Sequence, residues 1–186
     1  MLITACVNGM DLSFETAQTV FSPAQIDRGT LAMLETVLFA PGEKILDLGC
    51  GYGVVGICAA KMCGAENIVM TDIDPKCVSL SQKNAALNGV SGIKIIQSDG
   101  FRQLNETQFT YILSNPPYHA DFSVPKHFIE KGFNRLIPGG CLIMVTKRLD
   151  WYKNKLTAIF GGVKITEANG YFIFRAEKRN AHYFKK

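Results

Sequence analysis

Residues 44–56 read Lys44-Ile45-Leu46-Asp47-Leu48-Gly49-Cys50-Gly51-Tyr52-Gly53-Val54-Val55-Gly56. Lys44–Leu48 is a short apolar run with one acid in it, the pattern of a buried strand. Glycines follow at 49, 51 and 53, where backbone can turn tightly and approach a ligand closely. From Val54 the spacing is helical and runs to Met62. A strand, a glycine-rich loop and a helix N-terminus in that order form a ligand-binding unit of an open parallel sheet. The strand 67–71 leads to Asp72, 19 residues after Gly53, where an acid can take both hydroxyls of a ribose. Ile73 beside it can pack on an adenine face. The strand 93–97 leads into Ser98-Asp99-Gly100, where Asp99 can accept from an adenine amino group.

Gly51-Tyr52-Gly53-Val54-Val55-Gly56 also fits GxGxxG, so a nicotinamide dehydrogenase is an alternative. Asp47 argues against it, because an acid before the glycines suits a cationic amino group better than a pyrophosphate.

Outward from this unit, strands and helices alternate. Further strands are expected at 109–113 and 141–146. Helices are expected at 76–87, at 127–136 with a stop at Pro138-Gly139-Gly140, and at 150–160. Asp74 before Pro75 reads as the cap of the first of these. Two last strands, 163–166 and 171–175, flank the hairpin signal Asn169-Gly170. Upstream, Asn8-Gly9 predicts a hairpin of 2–7 and 10–16. Ser22-Pro23 predicts the start of a helix that ends at Pro41-Gly42. The fold class is α/β: a doubly wound, mostly parallel seven-stranded sheet with an antiparallel C-terminal strand. One domain is expected over 1–186. It comprises an N-terminal hairpin and helix extension (1–40), a catalytic core (41–177) and a basic, frayed tail (178–186).

The strand at 109–113 runs into Asn115-Pro116-Pro117-Tyr118. Two prolines force a sharp turn. The turn frees two acceptors, the Asn115 side-chain oxygen and the Pro116 carbonyl, to point at one spot beside the Tyr118 ring. Two acceptors and a stacking face suit an exocyclic amino group on a flat base or amide. A turn of this kind has no role in hydride transfer. Phe122 is a second candidate for stacking the target. His119 is a candidate proton acceptor, though a rim position is the commoner role for such a residue.

Apolar residues make up 47% of the 186 and charged residues 19%, ordinary for a globular protein. No stretch approaches the roughly 20 apolar residues of a membrane helix, and the N-terminus lacks the pattern of a signal peptide. The six cysteines show no metal-ligand spacing, which fits reduced thiols in the cytoplasm and no metal. The net charge of +4 is unevenly spread: residues 1–122 carry a net −5 and residues 123–186 a net +9. The basic third begins just after the Asn-Pro-Pro-Tyr turn, which favours a polyanionic partner such as RNA. Trp151 and Tyr152, beside Lys147, Arg148 and Lys153, are candidates for stacking RNA bases, with core packing the alternative for Trp151. His127 and His182 read as surface residues.

Asp47-x-Gly49-x-Gly51-x-Gly53, Asp72, Asp99 and Asn115-Pro116-Pro117-Tyr118, in this order and spacing, resemble a class I S-adenosylmethionine-dependent methyltransferase. Val20-Phe21-Ser22-Pro23 with Asp27-Arg28-Gly29-Thr30 resembles the entry segment of the small-domain branch that includes ribosomal RNA guanine-N2 methyltransferases. The resemblance covers about residues 18–177 and implies a Rossmann-like methyltransferase fold. It implies that Asp47, Gly49, Cys50, Gly51 and Gly53 hold the methionine part of S-adenosylmethionine. Asp72 and Ile73 would take its ribose and adenine side, and Asp99 and Gly100 the adenine. Asn115, Pro116 and Tyr118 would be catalytic, with Asn115 also beside the cofactor. The implied partner is RNA, ribosomal RNA or a ribosomal subunit, with guanine N2 as the target. Adenine N6 in RNA or DNA, a protein glutamine N5 and a catalytically silent RNA-binding module are the alternatives. Bacterial members with a ribosomal RNA target usually carry a further N-terminal domain, where this chain has about 20 residues before Phe21.

Overall fold

The structure, a computed structural model, describes residues 1–117 and 121–183. Tyr118 and His119 therefore lie outside the described residues. A two-stranded sheet comes first, β1 (Leu2–Val7) and β2 (Met10–Glu15), paired antiparallel around Asn8-Gly9. Both turn residues have positive φ, which is why Asn-Gly suits this hairpin. Helix α1 (Arg28–Glu35) follows.

Seven strands then form the main sheet: β3 (Ile45–Leu48), β4 (Ile68–Asp72), β5 (Lys94–Gln97), β6 (Phe109–Ser114), β7 (Leu136–Thr146), β8 (Lys164–Ala168) and β9 (Tyr171–Glu177). Their order is β5-β4-β3-β6-β7-β9-β8. The first five pair in parallel and β9 pairs antiparallel with both β7 and β8. The helices α2 (Val54–Cys63), α3 (Pro75–Leu87), α4 (Ser123–Arg135) and α5 (Asp150–Phe160) connect them. The sheet is the predicted doubly wound one. Its winding reverses at β3, which has β4 on one side and β6 on the other. A cleft is expected beyond the C-terminal ends of those strands.

The sheet separates two apolar layers. Ile45, Met70 and Ile143 belong to the layer that includes α1, α2 and the N-terminal hairpin. Leu46, Leu48 and Leu142 belong to the layer that includes α4 and α5. Alternation along β3 thus puts Asp47 on the same face as Ile45, toward α2.

Three expectations need correction. First, α1 starts at Arg28 and not at Ser22-Pro23. The Ser22 hydroxyl donates to the Gln25 carbonyl at 2.6 Å, and so is not accepting from the first turn of a helix. Asp27 is the acceptor instead, taking Thr30 N–H at 2.9 Å. Second, α4 begins at Ser123, and Pro138-Gly139-Gly140 lies inside β7. The register of β6 against β7 shifts between Phe109 and Tyr111. A Cβ at Gly140 would stand 2.9 Å from the Phe109 carbonyl oxygen, so the irregularity needs glycine there. Third, the tail is not frayed over its described part, 178–183; residues 184–186 lie outside the described residues. Lys178 exchanges backbone hydrogen bonds with Gly139 and Gly140. Tyr183 packs edge-on against Phe133 and donates to the Glu130 carbonyl at 2.8 Å. The six cysteines are free thiols, five of them buried. Among the described residues no helix is long and apolar enough to cross a membrane.

Candidate functional site

A cleft of about 400 Å³ opens at the switch in strand order. Its floor is the loop after β3. Gly49, Gly51 and Gly53 all have positive φ, and a Cβ at 49 or 51 would meet nothing within 4 Å. The backbone there faces open space, a cradle that side chains would fill. Gly49 and Cys50 N–H bond the Thr71 carbonyl at 2.8 and 2.9 Å, which fixes the loop to the end of β4. The Ser81 hydroxyl of α3 holds the Gly51 carbonyl at 2.9 Å.

The acids are built into this frame. Asp47 is buried and its Oδ2 accepts Gly56 N–H at 2.9 Å. Burial raises its pKa to about 7; the Gly56 bond opposes the rise and the Asp72 charge adds to it. Asp72 accepts Gly51 N–H on Oδ2 at 2.8 Å and Asp74 N–H on Oδ1 at 2.9 Å. Its pKa is also raised, by burial first. Each oxygen keeps acceptor capacity for a further donor. Asp74 caps α3, accepting Lys76 N–H at 2.9 Å, as expected. Asp99 lines the cleft, with Oδ2 in an ion pair to Arg102 at 2.6 Å. Ile73 lines it too and is 63% exposed, a large apolar side chain left open to the cleft. Gly49, Cys50, Gly51 and Gly100 also line it; Gly53 instead caps α2.

The N-terminal hairpin is fastened beneath this floor by two residues the sequence reading did not single out. Asn84 Oδ1 accepts Glu15 N–H at 2.6 Å, and its Nδ2 donates to the Glu15 and Tyr52 carbonyls at 3.0 and 2.8 Å. Asn88 treats Ser13 the same way, at 3.1 and 2.7 Å. The two amides act as substitute strand partners for β2 and tie it to the glycine loop. Amides spaced by four on one helix face were the available signal.

Asn115 lines the cleft from the end of β6. Its Nδ2 donates to Asp27 Oδ2 and to Thr30 Oγ1, both at 2.9 Å. A carboxylate only accepts, so the amide must turn its nitrogen to Asp27. Asn115 Oδ1 is left buried without a partner among the described residues. A buried acceptor left unmade costs free energy, and a ligand donor would recover it. Asp27 Oδ1 also accepts from the Tyr171 hydroxyl at 3.3 Å. Asp27 and Thr30 entered the sequence reading only as part of the entry segment; their grip on Asn115 spans 88 and 85 residues, beyond any local pattern. Pro117 lines the cleft, whereas Pro116 is buried and outside its lining. Phe21 and Tyr52 both line it. His127 is not a plain surface residue. It is half-buried beside Phe101, its Nε2 is buried without a partner among the described residues, and burial lowers its pKa.

Among the described residues, five aspartates (27, 47, 72, 74 and 99) line the cleft and no lysine, arginine or histidine does. That donor set rejects a pyrophosphate and fits a nucleoside that carries a cation. No group of three or more His, Cys, Asp or Glu among the described residues is placed to hold a metal.

An acidic, glycine-floored cleft at the switch of a seven-stranded sheet, rimmed by an Asn-Pro-Pro turn, defines a Rossmann-like methyltransferase domain. Known proteins agree. The family described as methyltransferase small domain matches residues 11–175. The chain is 33% identical to the uncharacterized protein YbxB of Bacillus subtilis, over 90% of this chain and 87% of that one. It is 32% identical to ribosomal RNA small subunit methyltransferase C of Pseudoalteromonas atlantica, over 88% of this chain and 49% of that one. Among solved structures, T. thermophilus 16S rRNA N2 G1207 methyltransferase (RsmC), in complex with AdoMet and guanosine, superposes with a TM-score of 0.87 at 28% identity. The match covers 96% of this chain and 50% of that one. The chain thus spans about half the length of the ribosomal RNA methyltransferases it matches. It belongs to the methyltransferase small domain family.

Proposed function

We propose that the protein is an S-adenosylmethionine-dependent N-methyltransferase that acts on the exocyclic amino group of a nucleobase, guanine N2 of small-subunit ribosomal RNA. The observation that carries this reading is Asn115 Oδ1, buried at the cleft without a partner among the described residues while Asp27 and Thr30 hold the amide nitrogen. The likeness to ribosomal RNA small subunit methyltransferase C and to RsmC supports the choice of RNA and guanine. Action in the cytoplasm follows from that substrate.

The cleft fits the cofactor: an acidic lining for its cationic tail, open backbone at Gly49 and Gly51, and Ile73 exposed for an apolar ring. When bound, S-adenosylmethionine supplies an electrophilic methyl carbon on a sulfonium. Asp47 and the loop 49–53 hold the methionine part, Asp72 the ribose, and Asp99 with Gly100 the adenine. Asn115 Oδ1 accepts one N–H of the target amine; the acceptor proposed for the other is the Pro116 carbonyl, next along the turn, although the residue itself is buried outside the cleft lining. Holding both protons aims the nitrogen lone pair and favours its pyramidal form. Neither group is a base, so the rate comes from positioning and from acceptors fixed beforehand; as the N–C bond forms, the sulfur–methyl bond would break with its electron pair kept by sulfur, and the methylated nitrogen would release one proton to water. Asp27 and Thr30 act through Asn115, as positioning residues. A target inside a helix must first be flipped out, which costs about a few kcal/mol.

The test is transfer of labelled methyl from S-adenosylmethionine to ribosomal RNA, ribosomal subunits, transfer RNA and a release-factor protein, with mass analysis of the labelled product. Label in N2-methylguanine of small-subunit RNA is expected. Label in adenine or in glutamine of the protein would replace this reading with one of its alternatives. RNA binding without cofactor affinity would leave the silent module.

A further inference from the structure

Beside the acidic cleft lies a surface of the opposite character. The turn after β7 exposes Lys147 and Arg148, just ahead of α5. The Arg148 guanidinium lies 5.0 Å from the centroid of the Phe122 ring. Phe122 in turn stacks on Trp151, with centroids 4.4 Å apart and planes 20° from parallel. Phe122 is 37% exposed, and Trp151 is half-buried and packed against the core, so this deck stands at the surface on a core footing. It adjoins the cleft on two sides. Phe122 is the N-cap of α4, two residues before Val124, which lines the cleft. The Lys147 ammonium lies 4.9 Å from the centroid of Tyr171, whose hydroxyl bonds Asp27. Two acids are near in sequence. Asp121 is turned into the first turn of α4, where it accepts Ser123 N–H at 2.6 Å, and Asp150 opens α5. Lys126 of α4 and Lys153 of α5 are both exposed.

We infer that Phe122, Arg148 and Trp151 form a stacking platform for a nucleotide of single-stranded RNA flanking the target base, with Lys147 and Arg148 facing its phosphates. The inference deepens the proposed function and rests on that reading for the identity of the target. An arginine lying on a ring offers its outer face to a base and its N–H groups to phosphate. The aromatic pair beneath it backs that guanidinium and leaves the exposed part of Phe122 at its border, and stacking of this kind demands no one sequence. The positive charge matches a polyanion, while the cleft lining repels one, so the backbone is held outside and only the target base enters.

Trp151 is the chain's single tryptophan and is not part of the cleft lining, so its emission reports on the platform alone. Titration with a ten-nucleotide oligouridylate should quench it saturably, whereas S-adenosylmethionine should not. In R148Q and F122L, checked by thermal melting for intact folding, oligonucleotide affinity should fall about tenfold while cofactor affinity is kept. R148Q should also lower the salt slope of binding by about 0.7. Absence of saturable quenching, quenching unchanged in both variants, or equal quenching by polyglutamate would each overturn the platform. Quenching by RNA with no methyl transfer to any RNA would sink the proposed function and leave the platform standing. Transfer to RNA without quenching would do the reverse.

Discussion

The cleft and its shoulder are built from the same sheet and have opposite chemistry. Five aspartates and no cation among the described residues line the cleft, and burial holds Asp47 and Asp72 at raised pKa. The shoulder sets Lys147 and Arg148 on aromatic rings. The difference teaches how one small domain can take two ligands of opposite sign. A buried acidic pocket selects a compact cation, because its charges are costly until one arrives. An exposed basic surface selects an extended anion, whose counterions it displaces. Asn115 sits at the cleft under the hold of Asp27, which Tyr171 links to Lys147 of the shoulder.

The comparison can be broken at that border first. Asn115→Ala should lower the transfer rate by about 10²–10³ or more, the scale of losing one aimed polar group in an active site, with cofactor affinity largely kept. Single-turnover transfer beside calorimetric cofactor binding separates the two, and normal transfer would remove Asn115 from the mechanism. Asn84→Ala comes next. It strips partners from Glu15 N–H and from the Glu15 and Tyr52 carbonyls, and should cost about 2–4 kcal/mol in urea unfolding. A change below about 0.5 kcal/mol would mean that the hairpin holds without its amide clamp.

Acidity sharpens the contrast further. Asp47 has its pKa at about 7 in the fold against 3.8 for the ordinary group. Between these values the folded state holds the extra proton, so Asp47's contribution to stability is present below about pH 4 and is lost as pH rises to about 7. A bound cation competes with that proton. Affinity for S-adenosylmethionine should therefore rise with pH up to about 7 and then level off. Methylthioadenosine, which lacks the charged tail and the sulfonium, should show no such rise. In Asp47→Asn the pH dependence should flatten and cofactor affinity fall about tenfold, with oligonucleotide affinity unchanged. A pH-dependent rise that survives in Asp47→Asn would assign it to another group. The smallest expected effect concerns salt: from 50 to 200 mM, cofactor affinity should change less than about twofold while oligonucleotide affinity falls severalfold. Equal sensitivity would erase the distinction between the two regions.

Much of this was legible in the chain. The run Lys44–Gly56 carries a strand, a turn and a helix start in local chemistry, so it revealed the cleft floor and the acid at 47, and the end of the following strand revealed the acid at 72. Asn115-Pro116-Pro117 announced its turn because proline cannot continue a central strand. Local rules failed where a distant group decided. Ser22-Pro23 has the form of a helix start, yet Asp27 caps α1 because Ser22 bonds Gln25. Pro138-Gly139-Gly140 has the form of a helix stop, yet it sits in β7, where the Phe109 carbonyl approaches Gly140. The chain from Lys178 looks polar and terminal, yet Lys178 extends the pairing with β7 and Tyr183 rests on α4.

The sequence by itself determined the alternation of strands and helices, the glycine floor, the acids at the strand ends and the split of charge along the chain. These are matters of neighbouring residues, where φ preference, periodicity and donor chemistry act within a few positions. Tertiary structure alone decided that Asn115 Oδ1 is left at the cleft without a partner among the described residues. Asp27 and Thr30 had to arrive from 88 and 85 residues away to claim the amide nitrogen. It alone decided that Arg148, Phe122 and Trp151 form one deck, because α4 and α5 must first pack side by side on the sheet. Which hydrogen bond remains unmade, and which rings meet, depends on every partner being in place, and no local stretch of chain contains that information.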